Sequence, residues 1–93
     1  MPRRLVAKVR FLRTYQRLSE ADQQLVDLAL RQFQRYLQTG EAPVGLGVKR
    51  LGGRTYEFRV SLALRVVYVV EGELVVLCLL GSHEEDRRLL KRQ

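Results

Sequence analysis

The feature that most constrains this chain is a change in hydrophobic period part-way along it. Leu25, Leu28, Ala29, Phe33, Tyr36 and Leu37 recur at helical spacing and make one apolar stripe. After Gly52-Gly53 the period falls to two, through Tyr56 to Val60, Leu64 to Val70, and Glu73 to Leu80. A one-sided helix and a run of alternating strands each leave an apolar surface that the other can cover. The chain is therefore predicted to be an α+β domain with a helical layer against a sheet.

Local signals place the boundaries. Ser19 followed by Asp22 fits a helix start, because the serine oxygen accepts from a backbone N–H that the first turn leaves unpaired. Gly40 ends that helix as a left-handed cap, and 40–47, with Pro43, reads as a loop. The opposite helix face carries Gln24, Asp27, Arg31, Gln34, Arg35 and Gln38 and is expected in solvent. Upstream, 5–11 alternates as a strand, with Ala7, Val9 and Phe11 on one side and Val6, Lys8 and Arg10 on the other. Phe11, Tyr15 and Leu18 then suggest a brief helix ending near Arg17. Ser82 with Glu85 opens a short C-terminal helix over 82–93. No linker, repeat or low-complexity tract divides the chain. The expectation is one domain, 1–93, with an antiparallel sheet of about four strands, two N-terminal helices on one face, and a short C-terminal helix.

Composition narrows the partners. A chain of 93 residues buries only about 60 to 65% of its unfolded surface, so a partner covering apolar surface adds to its stability. The net charge of +7 favours polyanions, and 14 of the 17 cations are Arg, whose planar fork suits phosphate better than a Lys ammonium does. Cys78 is the only cysteine, so no internal disulfide forms; it sits among apolar strand residues and reads as packing. No N-terminal apolar run resembles a signal peptide, and the apolar stretches are strand-sized, which points to the cytoplasm and away from a membrane span.

Strand parity then sorts side chains onto two faces. With loops at 61–63 and 71–72, face one carries Tyr56, Phe58, Val60, Leu64, Val66, Tyr68, Val70, Val75, Leu77 and Leu79, and forms the core beneath the long helix. Face two carries Glu57, Arg59, Arg65, Val67, Val69, Leu74, Val76 and Cys78. On this register Arg59 stands across from Arg65, an unfavourable like-charge pair. Either Glu57 bridges two solvated arginines, or an anion such as phosphate satisfies both. Val67, Val69, Leu74 and Val76 form an apolar patch awaiting a partner, the first helix or the C-terminal tail.

Residues 49–85 carry a further pattern: K-x-L-G at 49–52, an aromatic with E-x-R-V at 56–60, R-V-V-Y at 65–68, and G-x-H at 81–83. In this order, after a strand, a short helix and a long helix, they resemble the RelE/ParE superfamily of toxins over nearly the whole chain. The resemblance implies a small RelE-like fold and a type II toxin–antitoxin system. It implies a metal-independent, ribosome-dependent mRNA endonuclease that needs no cofactor. The implied partners are a cognate antitoxin, the ribosome and mRNA, and operator DNA through the antitoxin complex. The site it implies joins Arg59, Arg65 and His83 as catalytic residues to Lys49, Arg50 and Arg54 as RNA contacts.

Cleavage without a metal needs a base for the 2′-OH, cations for the charge growing on phosphate, and an acid for the leaving oxygen. In the first turn of a terminal helix His83 is favoured neutral, as a base must be; the other reading is an ordinary surface histidine. Glu84 and Glu85, followed by Arg87 and Arg88, fit helix-end electrostatics rather than chemistry. Many RelE-like enzymes carry a catalytic aromatic in the last segment, where residues 84–93 have none, and Tyr56 and Tyr68 face the core on this register. Two alternatives stand beside the endonuclease. One is a ParE-like inhibitor of DNA gyrase, favoured by the missing aromatic, and the other is a module that binds RNA or antitoxin and does no chemistry.

Overall fold

The computed structural model describes residues 3–81; the expected C-terminal helix and His83 lie outside the described residues. Seven elements follow one another: β1 (Arg4–Ala7), α1 (Val9–Arg17), α2 (Glu20–Thr39), β2 (Lys49–Gly52), β3 (Thr55–Arg59), β4 (Arg65–Glu71) and β5 (Leu74–Gly81). The strands form one sheet in the order β1-β5-β4-β3-β2, so the α+β class and the two N-terminal helices are as expected. β1 runs parallel to β5, and the other three pairings are antiparallel. Among the described residues no helix is long and apolar enough to cross a membrane.

Both helices bury residues on face one. Phe11, Val26, Ala29 and Phe33 pack with Phe58, Val66, Tyr68, Val75, Leu77 and Leu80. The Phe33 ring lies 4.4 Å from Phe58 and 4.6 Å from Tyr68, centroid to centroid, a spacing at which aromatic pairs add to simple area burial. α2 begins and ends as its sequence dictates. The Ser19 hydroxyl accepts from the Asp22 N–H at 3.2 Å, and Gly40 adopts φ 77° while its N–H bonds the Tyr36 carbonyl.

Several expectations need correction. The sheet has five strands, not four, because Lys49–Gly52 adds an edge strand whose polar residues gave no alternating signal. The first strand stops at Ala7, and Val9 to Phe11 already belong to α1. Phe11 reaches the core from the helix, where its spacing to Tyr15 and Leu18 suits the period of 3.6. Leu25 and Leu28 stay largely exposed, and Val26 and Leu30 take the inner face beside Ala29 and Phe33. Ala29, Phe33, Tyr36 and Leu37 face the core as expected, so the stripe departs from the expectation only over its N-terminal turns.

The second hairpin turns at Gly72-Glu73, so Glu71 faces Leu74 and Val70 faces Val75. Gly72 has φ 59°, a conformation costly for any residue with a Cβ. This moves the pairing by two residues and leaves the faces unchanged. A bulge between Val67 and Tyr68 changes them: Tyr68 faces Leu77, while Val67 faces Leu79. Cys78 is the extra residue. Beyond it Leu79 joins face two and Leu80 joins the core.

Candidate nucleic-acid interface

Face two can be read in rows, because residues paired across strands share a face. One row holds Lys49, Glu57, Val67 and Leu79. The next holds Arg59, Arg65 and Gly81, so the expected opposition of the two arginines is present. The like charges do not stand alone. A terminal nitrogen of the Arg65 guanidinium donates to a Glu57 carboxylate oxygen at 3.2 Å, with Glu57 1% exposed and the Arg65 side chain 18% exposed.

The two arginines are therefore unequal. Arg65 is half-buried and tied to a carboxylate, whereas Arg59 is exposed. The Arg65 Nε is buried and has no hydrogen-bond partner among the described residues. A buried ion pair with one short contact repays little of its desolvation, so this pair is better understood as setting the guanidinium's position than as a source of stability. Glu57 was expected to bridge two solvated arginines; it contacts Arg65, which is half-buried, and among the described residues makes no ion pair with the exposed Arg59.

Arg59 is positioned from outside the sheet as well. Its N–H donates to the Leu46 carbonyl at 2.7 Å, and Leu46, buried in the core, pins the loop that precedes β2. Gly47, at φ 59°, passes close to the Arg59 Cβ. This support escaped the sequence reading, although a leucine between two glycines, Gly45-Leu46-Gly47, was a signal that the loop docks at one point.

The other candidates divide between the two faces. Lys49 lies on face two, in register with Glu57 and one row from the arginine pair, while the cation in contact with the carboxylate is Arg65. Arg50 pairs with Tyr56 on the opposite face, and its Nε donates to the Gly53 carbonyl at 2.9 Å, which fastens the β2–β3 turn. Arg54 is exposed in that turn, at the far end of β3 from Arg59. The structure thus brings Lys49, Arg59 and Arg65 together and sets Arg50 and Arg54 apart. Among the described residues no three metal-ligating side chains converge.

Towards the β1 edge, face two becomes apolar. Val6 and Leu74 are exposed, and Val69 and Val76 are half-buried. α1 packs on face one, so it is not the cover for this patch. Val67, expected in the patch, is buried in the row of Glu57. Burial pushes the Cys78 thiol above its ordinary value, which disfavours the nucleophilic thiolate and agrees with a packing role.

With the sheet order, helix placement and arginine pair in view, comparison with solved structures defines the class: the fold is that of the RelE/ParE-type toxins of toxin–antitoxin systems. The RelE–RelB complex of Pyrococcus horikoshii superposes with a TM-score of 0.68 at 19% identity, over 88% of this chain and 96% of that one. The YoeB/ParE toxin of Agrobacterium tumefaciens gives 0.67 at 20%, over 86% and 98%. The Escherichia coli DinJ–YafQ toxin–antitoxin complex gives 0.66 at 14%, over 91% and 97%. No protein-family model and no curated protein matches the sequence.

Proposed function

We propose that this chain is the toxin of a type II toxin–antitoxin pair, acting in the cytoplasm as a metal-independent endonuclease on ribosome-bound mRNA. The observation that carries the reading is the unequal arginine pair. Arg65 is fixed by buried Glu57, and Arg59 stands opposite it, exposed and without a carboxylate among the described residues. A scissile phosphate is the chemistry that fits between them. Arg65 presents a guanidinium whose position does not wander, Arg59 closes on the phosphate from solvent, and Lys49 adds charge along the strand.

In this mechanism the 2′-oxygen attacks phosphorus as the P–O5′ bond breaks, giving a 2′,3′-cyclic phosphate; the arginines stabilise the charge that grows on the non-bridging oxygens, and the leaving 5′-oxygen takes its proton from water. His83 follows Gly81, the strand partner of Arg65, by two residues and is the assigned base for the 2′-OH proton. Glu57 is sealed and engaged, so it orients Arg65 and does not exchange protons with substrate. Antitoxin partnership is supported by the complexes in which neighbouring folds were solved, and the apolar patch of Val6, Val69, Leu74 and Val76 is a surface such a partner would cover.

The test is inducible expression of wild type, Arg59→Ala and His83→Ala, with mapping of mRNA 5′ ends on translating ribosomes. In-frame cuts made by wild type and lost in both variants are the expected result. The absence of an aromatic from 84–93 favours a second reading, inhibition of DNA gyrase, for which growth arrest without cuts is the signature.

A further inference from the structure

On the other side of the sheet, a cleft of about 410 Å³ opens between the C-terminal end of α2 and strands β3 and β4. Its walls include Arg3, Tyr36, Leu37, Tyr56, Tyr68 and Val70. Three phenols and a guanidinium around one cleft is an unusual way to finish a hydrophobic layer. Tyr68 is only 3% exposed as a residue and lines the cleft, and the buried side-chain polar atom that lacks a partner among the described residues is the Arg65 Nε, not the Tyr68 hydroxyl.

Tyr36, Tyr56, Tyr68 and Arg3 line one cleft. Burial is the main reason the Tyr68 phenol resists ionisation, Tyr36 and Tyr56 add to that resistance, and Arg3 opposes it. Tyr68 therefore stays protonated and offers an O–H, alongside the N–H groups of Arg3, which cannot accept. Tyr56 and Tyr68 stack at 5.4 Å with 14° between their planes, and Leu37 and Val70 supply apolar wall. The volume falls in the range of small-molecule sites and exceeds what a bare phosphate or carboxylate fills.

We propose that this cleft binds a small organic oxyanion, a phosphate monoester or carboxylate carried on a planar apolar body. The anion accepts from Arg3 and the phenols, and the body lies against Leu37 and Val70. The site is independent of the endonuclease reading, because its residues line face one and the arginine pair lies on face two.

The test uses the full chain and four probes: phenyl phosphate, benzoate, inorganic phosphate and neutral benzyl alcohol. The chain has four tyrosines and no tryptophan, so tyrosine fluorescence reports on the cleft directly. Expected is a saturable response to at least one aromatic anion, with phenyl phosphate alone assigning phosphate monoesters and benzoate alone assigning carboxylates. Tyr68→Phe keeps the ring stack and weakens binding roughly tenfold, the size of one charge-assisted hydrogen bond. Arg3→Gln does the same from an exposed position where folding is not at risk, and Tyr15→Phe changes nothing. No saturable response to either anion, equal binding of benzyl alcohol, or unchanged affinity in both Tyr68→Phe and Arg3→Gln would overturn the proposal.

Discussion

Two arginines facing each other across a strand pair have opposite roles, and the difference is measurable. Removing Arg65 leaves Glu57 charged, buried and alone, so Arg65→Ala is expected to lower stability by about 3 kcal/mol. Removing Arg59 relieves a like-charge contact at an exposed position, and Arg59→Ala should stay within about 0.5 kcal/mol of wild type. Urea unfolding with an unchanged denaturant slope checks both. A second residue-scale prediction concerns Tyr68. Its folded-state ionisation lies above the unfolded value near 10, so between the two the unfolded chain has released a proton that the native chain keeps. The Tyr68 contribution is complete below about pH 10 and is lost as pH rises further. Tyr68→Phe should flatten the alkaline fall in stability, as read from unfolding midpoints at successive pH values.

Elements were legible where one signal dominated and illegible where two periods fitted the same residues. α2 was readable at both ends because Ser19 and Gly40 are cap residues with specific geometry. The opposition of Arg59 and Arg65 followed from one short loop. Val9 and Phe11 satisfy both strand and helix spacing, so the first strand was drawn too long. The bulge was invisible because Leu77, Cys78, Leu79 and Leu80 are all apolar, and no polar residue marked the slip. With Cys78 as the extra residue, the sheet is predicted to tolerate changes there. Cys78→Ala should cost about 1 kcal/mol or less, and a chain lacking Cys78 keeps Val67 opposite Leu79 and Val66 opposite Leu80, so it should still unfold cooperatively in urea with Leu80 in the core. Ser19→Ala, which removes the α2 cap, should cost about 1 kcal/mol in the same assay. The fixing of Arg65 by a sealed carboxylate was legible only as a bridge, since strand parity names the neighbour and says nothing of its burial.

At the scale of the molecule, charge and topology govern different things. The net charge of +7 is a statement about association, and binding of a single-stranded RNA oligonucleotide is expected to weaken steeply as salt rises. If Arg59 meets a phosphate, Arg59→Ala should reduce the slope of log affinity against log salt by about 0.7, while Arg54→Ala, at the other end of β3, should change it less. Topology governs timing. β1 is made before the other strands, and among the described residues the strand it pairs with is β5, with Arg4 beside Leu74. At ordinary rates of synthesis the intervening chain takes roughly 4 to 14 s to make, and throughout that interval the first strand has nothing to lie against. The sheet therefore closes last along β1, so a ribosome carrying this nascent chain holds an unfinished sheet for seconds.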